Sequence, residues 1–465
     1  MSAVTAQSRK KRTENPRRLR WVFVVLLVVG GIVNYLDRST LSIGNTTIAA
    51  EFDLSATQMG LLLSAFSWPY AIANLPAGYL VDKLGAKKMF AFASGAWSLV
   101  GIVTAAANSF GVLYALRVAL GVAESPFFTA GLKVNERWFS SKERAFPIAL
   151  VNTGSQIANA LAPPLLTFLL MTMSWRGMFI VVGVLGLLVM VVWLRIYRDP
   201  TLREEYILKS EDGFTDPDEQ ADSNGSAGAA SPHTPGHEAS AGATSASATS
   251  DADVIVEGAK KVGWGTLFAQ PNTYFMIIGA FGIFYTVWVY LTWLPSYIET
   301  DLGFSLQETG WLAALPFLMG VLGVLTGGWF SGYLIRQGRP AIFARKVPIV
   351  GGAVLAAASV FPTAYVDNVS TIIALLSLGY FFSQVPIGCL WTLASDVAPS
   401  EQVASLGSIQ NFGGFIGAAL APIVTGWLVD TTGNFNSVFM VGAVLLVVGA
   451  ISYGFFVKDR SQEQR

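Results

Sequence analysis

The sequence holds one cysteine, Cys389, and two histidines, His233 and His237, in 465 residues. A lone thiol forms no internal disulfide, which excludes a disulfide-stapled secreted scaffold. Both histidines lie in a polar stretch, so neither a histidine-rich metal site nor an intramembrane histidine relay is available. Charge is scarce too. Asp, Glu, Lys and Arg make up 13% of the chain, about half the ~25% of soluble domains. So few charges do not cover the surface of a soluble protein of this length, which sets aside a soluble enzyme and a nucleic-acid binder. No nucleotide-binding loop follows a predicted strand, which argues against an ATP-driven pump. No metal and no cofactor are expected.

What is abundant is apolar. Hydrophobic types make up 53% of the chain. They gather into runs of about 20 residues, the length that crosses a ~30 Å hydrocarbon core. Twelve spans are predicted, at 21–45, 57–81, 88–107, 110–132, 145–171, 174–195, 273–298, 309–335, 346–366, 371–395, 402–429 and 435–457. The expected fold class is an all-α polytopic membrane protein. Seven basic residues precede the first run, which is too long for the core of a cleavable signal peptide. Of the 30 Lys and Arg, 27 fall on one side of this topology and one, Arg176, on the other. The positive-inside rule then puts both termini in the cytoplasm. Short outer loops and absent disulfides suit a bacterial inner membrane.

Residues 221–250 contain no large apolar residue and are expected to be disordered. The predicted organisation is therefore a basic N-terminus (1–20), a six-helix half (21–198), a largely disordered cytoplasmic linker (199–265), a second six-helix half (266–457) and a tail (458–465). The linker reads as a spacer, with a phosphorylation-regulated tether as the alternative. The halves repeat. At an offset of 259 the pairs Asn152/Asn411, Gly154/Gly413, Ile157/Ile416, Ala160/Ala419, Leu161/Leu420, Ala162/Ala421 and Pro163/Pro422 are identical. Helix packing explains shared small residues, but not a register kept from asparagine to proline. Parallel repeats of this kind place a substrate path between the halves near the midplane.

Four ionisable residues fall inside spans of the first half: Asp37, Arg38, Arg117 and Glu124. A charge at mid-membrane costs at least ~2.5–3.5 kcal/mol and marks a functional site by default. Arg117 and Glu124 share a helix face, with Gly121 between them; Asp37 and Arg38 point about 100° apart. Two structural salt bridges are one reading. The other is proton-linked capture of an anion, in which a proton on Glu124 or Asp37 frees an arginine for a carboxylate. Asn152, Gln156 and Asn159 form a polar stripe on span 5; Gln384, Gly388, Trp391 and Ser395 form one on span 10. Phe281, Tyr285, Trp288 and Thr292 line span 7, as cavity wall or as packing.

The loop after span 2, with Gly78, Asp82, Lys83, Gly85, Lys87 and Lys88, resembles the glycine, aspartate and basic motif of the major facilitator superfamily. The second half keeps only a degraded echo without the aspartate. Span 1 reads Asn34-Tyr35-Leu36-Asp37-Arg38. Span 4 carries Arg117, Gly121, Glu124, Ser125, Pro126 and Phe128, followed by Arg137-Trp138-Phe139 and Lys142-Glu143-Arg144. These are similar to the anion:cation symporter branch, the bacterial sugar-acid and organic-acid carriers. That branch usually has alanine where Ser125 stands. Its vesicular glutamate carriers have an arginine in span 7, which this chain lacks. The resemblance implies twelve helices in two pseudo-symmetric halves. It makes Asp37 and Glu124 the proton-coupling acids and pairs Arg117 with Glu124. Arg38 would hold the substrate carboxylate with Tyr35 and Tyr70 beside it. Gln156, Trp391 and Asn411 would line the sugar-like part of the cavity, and Gly78, Asp82, Gly85 and Arg144 would form a cytoplasmic gate.

The expected function is proton-coupled import of a small organic anion, most readily a sugar acid such as an aldonate, aldarate or hexuronate. An importer of an aromatic carboxylate such as phthalate is the nearer alternative. A proton-antiporting exporter is the further one, since span 5 reads Ala162-Pro163-Pro164-Leu165 in place of a Gly-Pro, paired-glycine motif. A receptor built on a dead transport fold would lack the intramembrane acids or carry a folded signalling domain. The expected partners are the small anion, protons and the bilayer, with no nucleic acid and a functional monomer. Deleting 221–250 should leave uptake largely unchanged, because closure entropy varies slowly with linker length. Lost uptake at normal membrane expression would give the segment a regulatory role.

Overall fold

The computed structural model describes residues 15–140, 143, 145–209, 265–398 and 403–458. The 221–250 segment, His233, His237 and Arg144 lie outside them. Every regular element among the described residues is a helix. Span 1 is Pro16–Ile43, span 3 Ala86–Thr104, span 7 Pro271–Thr300 and span 8 Leu306–Arg336. Span 9 is Ala341–Val360, span 11 Val403–Thr432 and span 12 Asn436–Ile451. Spans 5 and 6 run together as Ala145–Ile196, broken at Ser174, whose φ is 68°. Nine helices among the described residues are long and apolar enough to cross a membrane. Dividing the broken run at Ser174 and adding spans 2 and 3 accounts for the twelve spans. A short helix, Leu202–Lys209, follows span 6.

Three spans are interrupted, and prolines cause the breaks. Span 2 consists of Ala56–Ser64 and Ser67–Leu84. Pro69 lacks the N–H that would reach the Ala65 carbonyl, and its ring crowds that turn. Span 4 consists of Phe110–Glu124 and Pro126–Trp138. Pro126 has no N–H to offer the Val122 carbonyl, which accepts instead from the Ser125 amide at 3.3 Å and the Ser125 hydroxyl at 2.9 Å. The Ser125 hydroxyl thus adds a second donor to a carbonyl that the backbone already serves. Span 10, Val369–Gln384 and Ile387–Val397, breaks at Pro386. Spans 4 and 10 occupy equivalent places in the two halves, so the break is part of the repeat.

The packing also repeats. Span 1 lies along span 5 as span 7 lies along span 11; span 3 packs on span 6 as span 9 packs on span 12; span 2 meets span 4 as span 8 meets span 10. The halves meet through the pairs 2–11 and 5–8, which are equivalent, and through spans 1 and 7.

Among the described residues the halves close at one end only. There spans 2 and 11 touch backbone to backbone: a Cβ on Gly60 would stand 2.3 Å from the Pro422 carbonyl oxygen, and one on Gly426 2.1 Å from that of Ala56. The Asp430 carboxylate accepts from the Ala56 and Thr57 amides at 2.9 and 2.8 Å, and from the Thr57 hydroxyl. Ser64 donates to the Ala419 carbonyl at 2.6 Å and Ser42 to that of Thr292 at 2.8 Å. Thr46 donates to Glu299 at 2.8 Å. These are the hydrogen bonds between halves among the described residues. The opposite end, which carries the start of span 1 and the end of span 12, has none.

Because backbone meets backbone at Gly426, a larger residue has no side chain to displace. Gly426→Leu should hold the halves apart at this end, at about 1–3 kcal/mol of overpacking, a ~5–150-fold shift in a two-state equilibrium. The readout is labelling of a cysteine placed at Ser42, in a Cys389→Ser background. Labelling should rise; unchanged labelling would mean that this contact does not govern closure.

Candidate functional site

The site begins with a buried ion pair. Arg38 of span 1 donates from Nε to Glu124 Oε2 of span 4 at 2.6 Å. Glu124 is fully buried at the Pro126 break. The guanidinium lies 4.9 Å from the ring centre of Tyr35 and 4.7 Å from those of Phe66 and Tyr70. Each such contact is worth about 0.5–2 kcal/mol, more as water is excluded. Two features of the chain set the cage. Gly121 lets span 4 press on span 2, since a Cβ there would stand 2.4 Å from the Phe66 carbonyl oxygen. The Pro69 break lies beside that contact, and Phe66 and Tyr70 stack at 5.5 Å on its far side.

The expected Arg117–Glu124 pair does not form. Seven residues of helix rise about 10.5 Å, so a shared face still leaves the two side chains two turns apart. Glu124 reaches across to Arg38 instead. Arg117 is buried, its Nη2 donates to the Arg38 carbonyl at 3.4 Å, and its Nε and Nη1 make no hydrogen bond to the described protein. Asp37 is 1% exposed, and neither carboxyl oxygen has a hydrogen-bond partner there. It faces Gly101 of span 3, where a Cβ would stand 3.1 Å from Oδ1.

Two cavities flank the caged arginine. A small one of about 60 Å³ lies toward the closed end, lined by Arg38, Ser42, Arg117, Asn159, Trp288 and Thr292 among others. A larger one of about 540 Å³, within the usual range for small-molecule sites, is lined by Tyr70, Asn74, Asn135, Asn152, Asn411 and Phe415 among others. Tyr70 of span 2 and Phe415 of span 11, with ring centres 5.7 Å apart, stand between the two. Phe415 also meets Trp288 of span 7 at 5.9 Å.

Of the residues singled out in the sequence, Asp37, Arg38, Tyr35, Tyr70, Arg117 and Glu124 therefore come together. Asn411 lies on the larger cavity rather than beside Arg38. Gln156, half-buried on span 5, lies 3.5 Å from Asn159. Trp391 belongs to the second helix of span 10, and its side chain lies outside the described residues. Asp82, largely exposed, pairs with Lys133 of span 4 at 3.1 Å, within the first half. Gly78 faces Thr129, where a Cβ would come within 3.9 Å, and Gly85, with φ 85°, makes the turn into span 3. Phe66, Phe415, Asn74 and Asn135 went unread. Phe66 is four residues before Tyr70 and Phe415 four after Asn411, so helical spacing from those positions would have found both.

The profile of the Major Facilitator Superfamily matches residues 27–422 and 344–465. The chain belongs to the major facilitator superfamily. It is 34% identical over 455 residues to the probable L-galactonate transporter of Escherichia coli K12, spanning 98% of this chain and 93% of that one. It is 32% identical over 453 residues to the probable galactarate/D-glucarate transporter GarP of the same strain, 95% of each. With the hexuronate transporter of Bacillus subtilis it shares 27% over 440 residues, 94% of each. A bacterial homologue of the human lysosomal transporter Spinster, solved inward-facing and unoccupied, superposes with a TM-score of 0.69 at 16% identity, covering 94% of this chain and 96% of that one. The D-xylose-proton symporter does so at 0.68 and 14%, covering 94% and 98%. At these identities the likeness is one of fold. This superfamily member is a multi-pass membrane transporter, and its relatives carry solutes rather than catalyse reactions.

Glu124 has Arg38 as its ion-pair partner, so Arg38→Ala strands a buried carboxylate. Breaking a buried pair from one side costs about 3–5 kcal/mol. Arg38→Ala should lower thermal stability in detergent, and adding Glu124→Gln should recover most of the loss. Additive losses would show that the pair is not coupled.

Proposed function

We propose that the protein is a proton-coupled symporter that imports a small carboxylate, most specifically a sugar acid, by alternating access. The observation that carries this reading is the single guanidinium shared by Glu124 and the cavity wall. A carboxylate ligand and Glu124 compete for the same Arg38. Glu124 holds Arg38 while ionised; a proton on Glu124 cancels that claim and frees the fork for a substrate carboxylate, which it grips in bidentate fashion. Binding the anion and binding the proton thereby favour one another. Asp37, buried with no partner for its oxygens, is the second proton site: an unpaired buried carboxylate costs several kcal/mol, and protonation removes that cost.

The uncharged groups suit a polyol tail. Asn152 and Asn411, related by the repeat, face one cavity with Asn74 and Asn135, and amides both donate to and accept from hydroxyls. The names of the relatives, carriers of galactonate, galactarate or glucarate, and hexuronate, favour sugar acids over aromatic acids. Exit would run through the larger cavity, with Tyr70 and Phe415 parting. The charge bias puts that open end and both termini in the cytoplasm of a bacterial inner membrane, so the structure is read as inward-open. In that state Asp82 pairs within its own half; we propose that it meets the second half only when the cytoplasmic end closes.

In proteoliposomes an inward acid gradient should drive accumulation of an aldonate, aldarate or hexuronate. Asp37→Asn and Glu124→Gln should lose gradient-driven accumulation while retaining substrate exchange. Wild-type accumulation with wild-type pH dependence in both variants would end the coupling reading. Uptake of phthalate but of none of these sugar acids would move the substrate to aromatic carboxylates.

A further inference from the structure

Spans 9 and 12 lie against one another in the second half. At the end carrying the end of span 12 they part, and the cause is local. Span 12 stops being α-helical at Ile451, and Ser452–Phe456 winds as a wider π turn. Wider turns leave carbonyls out of the regular ladder. Lys346 of span 9 answers them, donating from Nζ to the Gly454 and Val457 carbonyls at 2.7 and 2.8 Å. Asn272 pins the next residue, accepting from the Lys458 amide at 2.9 Å and donating to its carbonyl at 3.0 Å. The result is a cleft of about 670 Å³ on the outside of the bundle, lined by Phe343, Lys346, Val350, Phe455 and Lys458 among others. It shares no residue with the two cavities around Arg38.

The cleft has a polar end and an apolar wall. Two of the three Lys346 donors are spent on carbonyls, which leaves one N–H. The Lys458 side chain is exposed while its backbone is fixed. No acidic residue lines the cleft among the described residues. Phe343 is 49% and Phe455 76% exposed, large rings left uncovered near the ends of two spans. Two cations with no acidic residue among the described lining fit a phosphate. They do not fit a zwitterionic headgroup, whose ammonium would find no carboxylate. Basic pockets between transmembrane helices are known seats for anionic headgroups.

We infer that the cleft between spans 9 and 12 binds one anionic phospholipid, its phosphate on Lys346 and Lys458 and its acyl chain along Phe343 and Phe455. The inference is independent of what the carrier transports.

The test is native mass spectrometry and thermal stability of the purified full-length chain. It is titrated with phosphatidylglycerol, phosphatidylcholine and inorganic phosphate in separate arms. Phosphatidylglycerol should bind at about one per chain and raise the melting temperature, and the other two should not. Lys458→Gln, which leaves the backbone clamp in place, should weaken binding about fivefold, as expected for one basic residue near a membrane surface. Lys346→Gln should weaken it at least as much, whereas Lys346→Arg should retain it. Arg203→Gln, a basic surface change elsewhere, should leave it unaltered. Equal binding of phosphatidylcholine overturns the inference, as does phosphatidylglycerol affinity unchanged in both glutamine variants. Binding by inorganic phosphate alone would make this a free-anion site. Lipid that binds only after removal of residues 459–465 would make the chain's own tail the occupant. Either result sinks the proposal.

Discussion

An arginine and a glutamate held together inside a membrane constrain everything around them. Neither tolerates hydrocarbon alone, and removing one partner leaves an uncompensated charge. The chain meets this demand with backbone as much as with side chains. Pro126 breaks span 4 where Glu124 must be presented, the Ser125 amide and hydroxyl both donate to the Val122 carbonyl there, and Gly121 brings span 2 close enough for Phe66 and Tyr70 to cover the guanidinium. The cage sets polarisable faces against the Arg38 guanidinium in place of water. On its side toward the larger cavity stand two rings in contact, Tyr70 and Phe415, one from each half.

The fold was legible because its signals are collective. Runs of apolar residues, a one-sided charge distribution and a repeat in register each average over many positions, and together they describe an all-helical, two-half membrane bundle. The site was legible as a set of residues but less so as a set of bonds. Intramembrane charges are rare enough to be conspicuous, so Asp37, Arg38, Arg117 and Glu124 stood out. Which arginine meets which acid depends on distances between helices, and helical phase alone gives only faces. Arg117 and Glu124 thus share a face but stand two turns apart, and Glu124 joins Arg38 of a neighbouring span.

Aromatic neighbours were harder to read for another reason. In a chain with 30 phenylalanines, no single one is distinctive, and Phe66 and Phe415 acquire meaning only from the rings they meet. The prolines carry more than the spans reveal at first sight. Pro126 and Pro386 sit at the breaks of spans 4 and 10, and Pro69 lies within a turn of the break in span 2.

The two halves share an architecture but not an electrical load. Among the described residues, the charged side chains buried within spans all belong to the first half. The second half presents Trp288 and Thr292 to the small cavity and Asn411 and Phe415 to the larger one. If one half rocks against the other, the moving wall is neutral. The ionic machinery need not be carried across the hydrocarbon, nor its solvation rebuilt at each stroke. The work of the cycle then falls on aromatic and amide surfaces sliding past a stationary charge. Such a surface can be recut for a new solute without disturbing the buried charges of the first half.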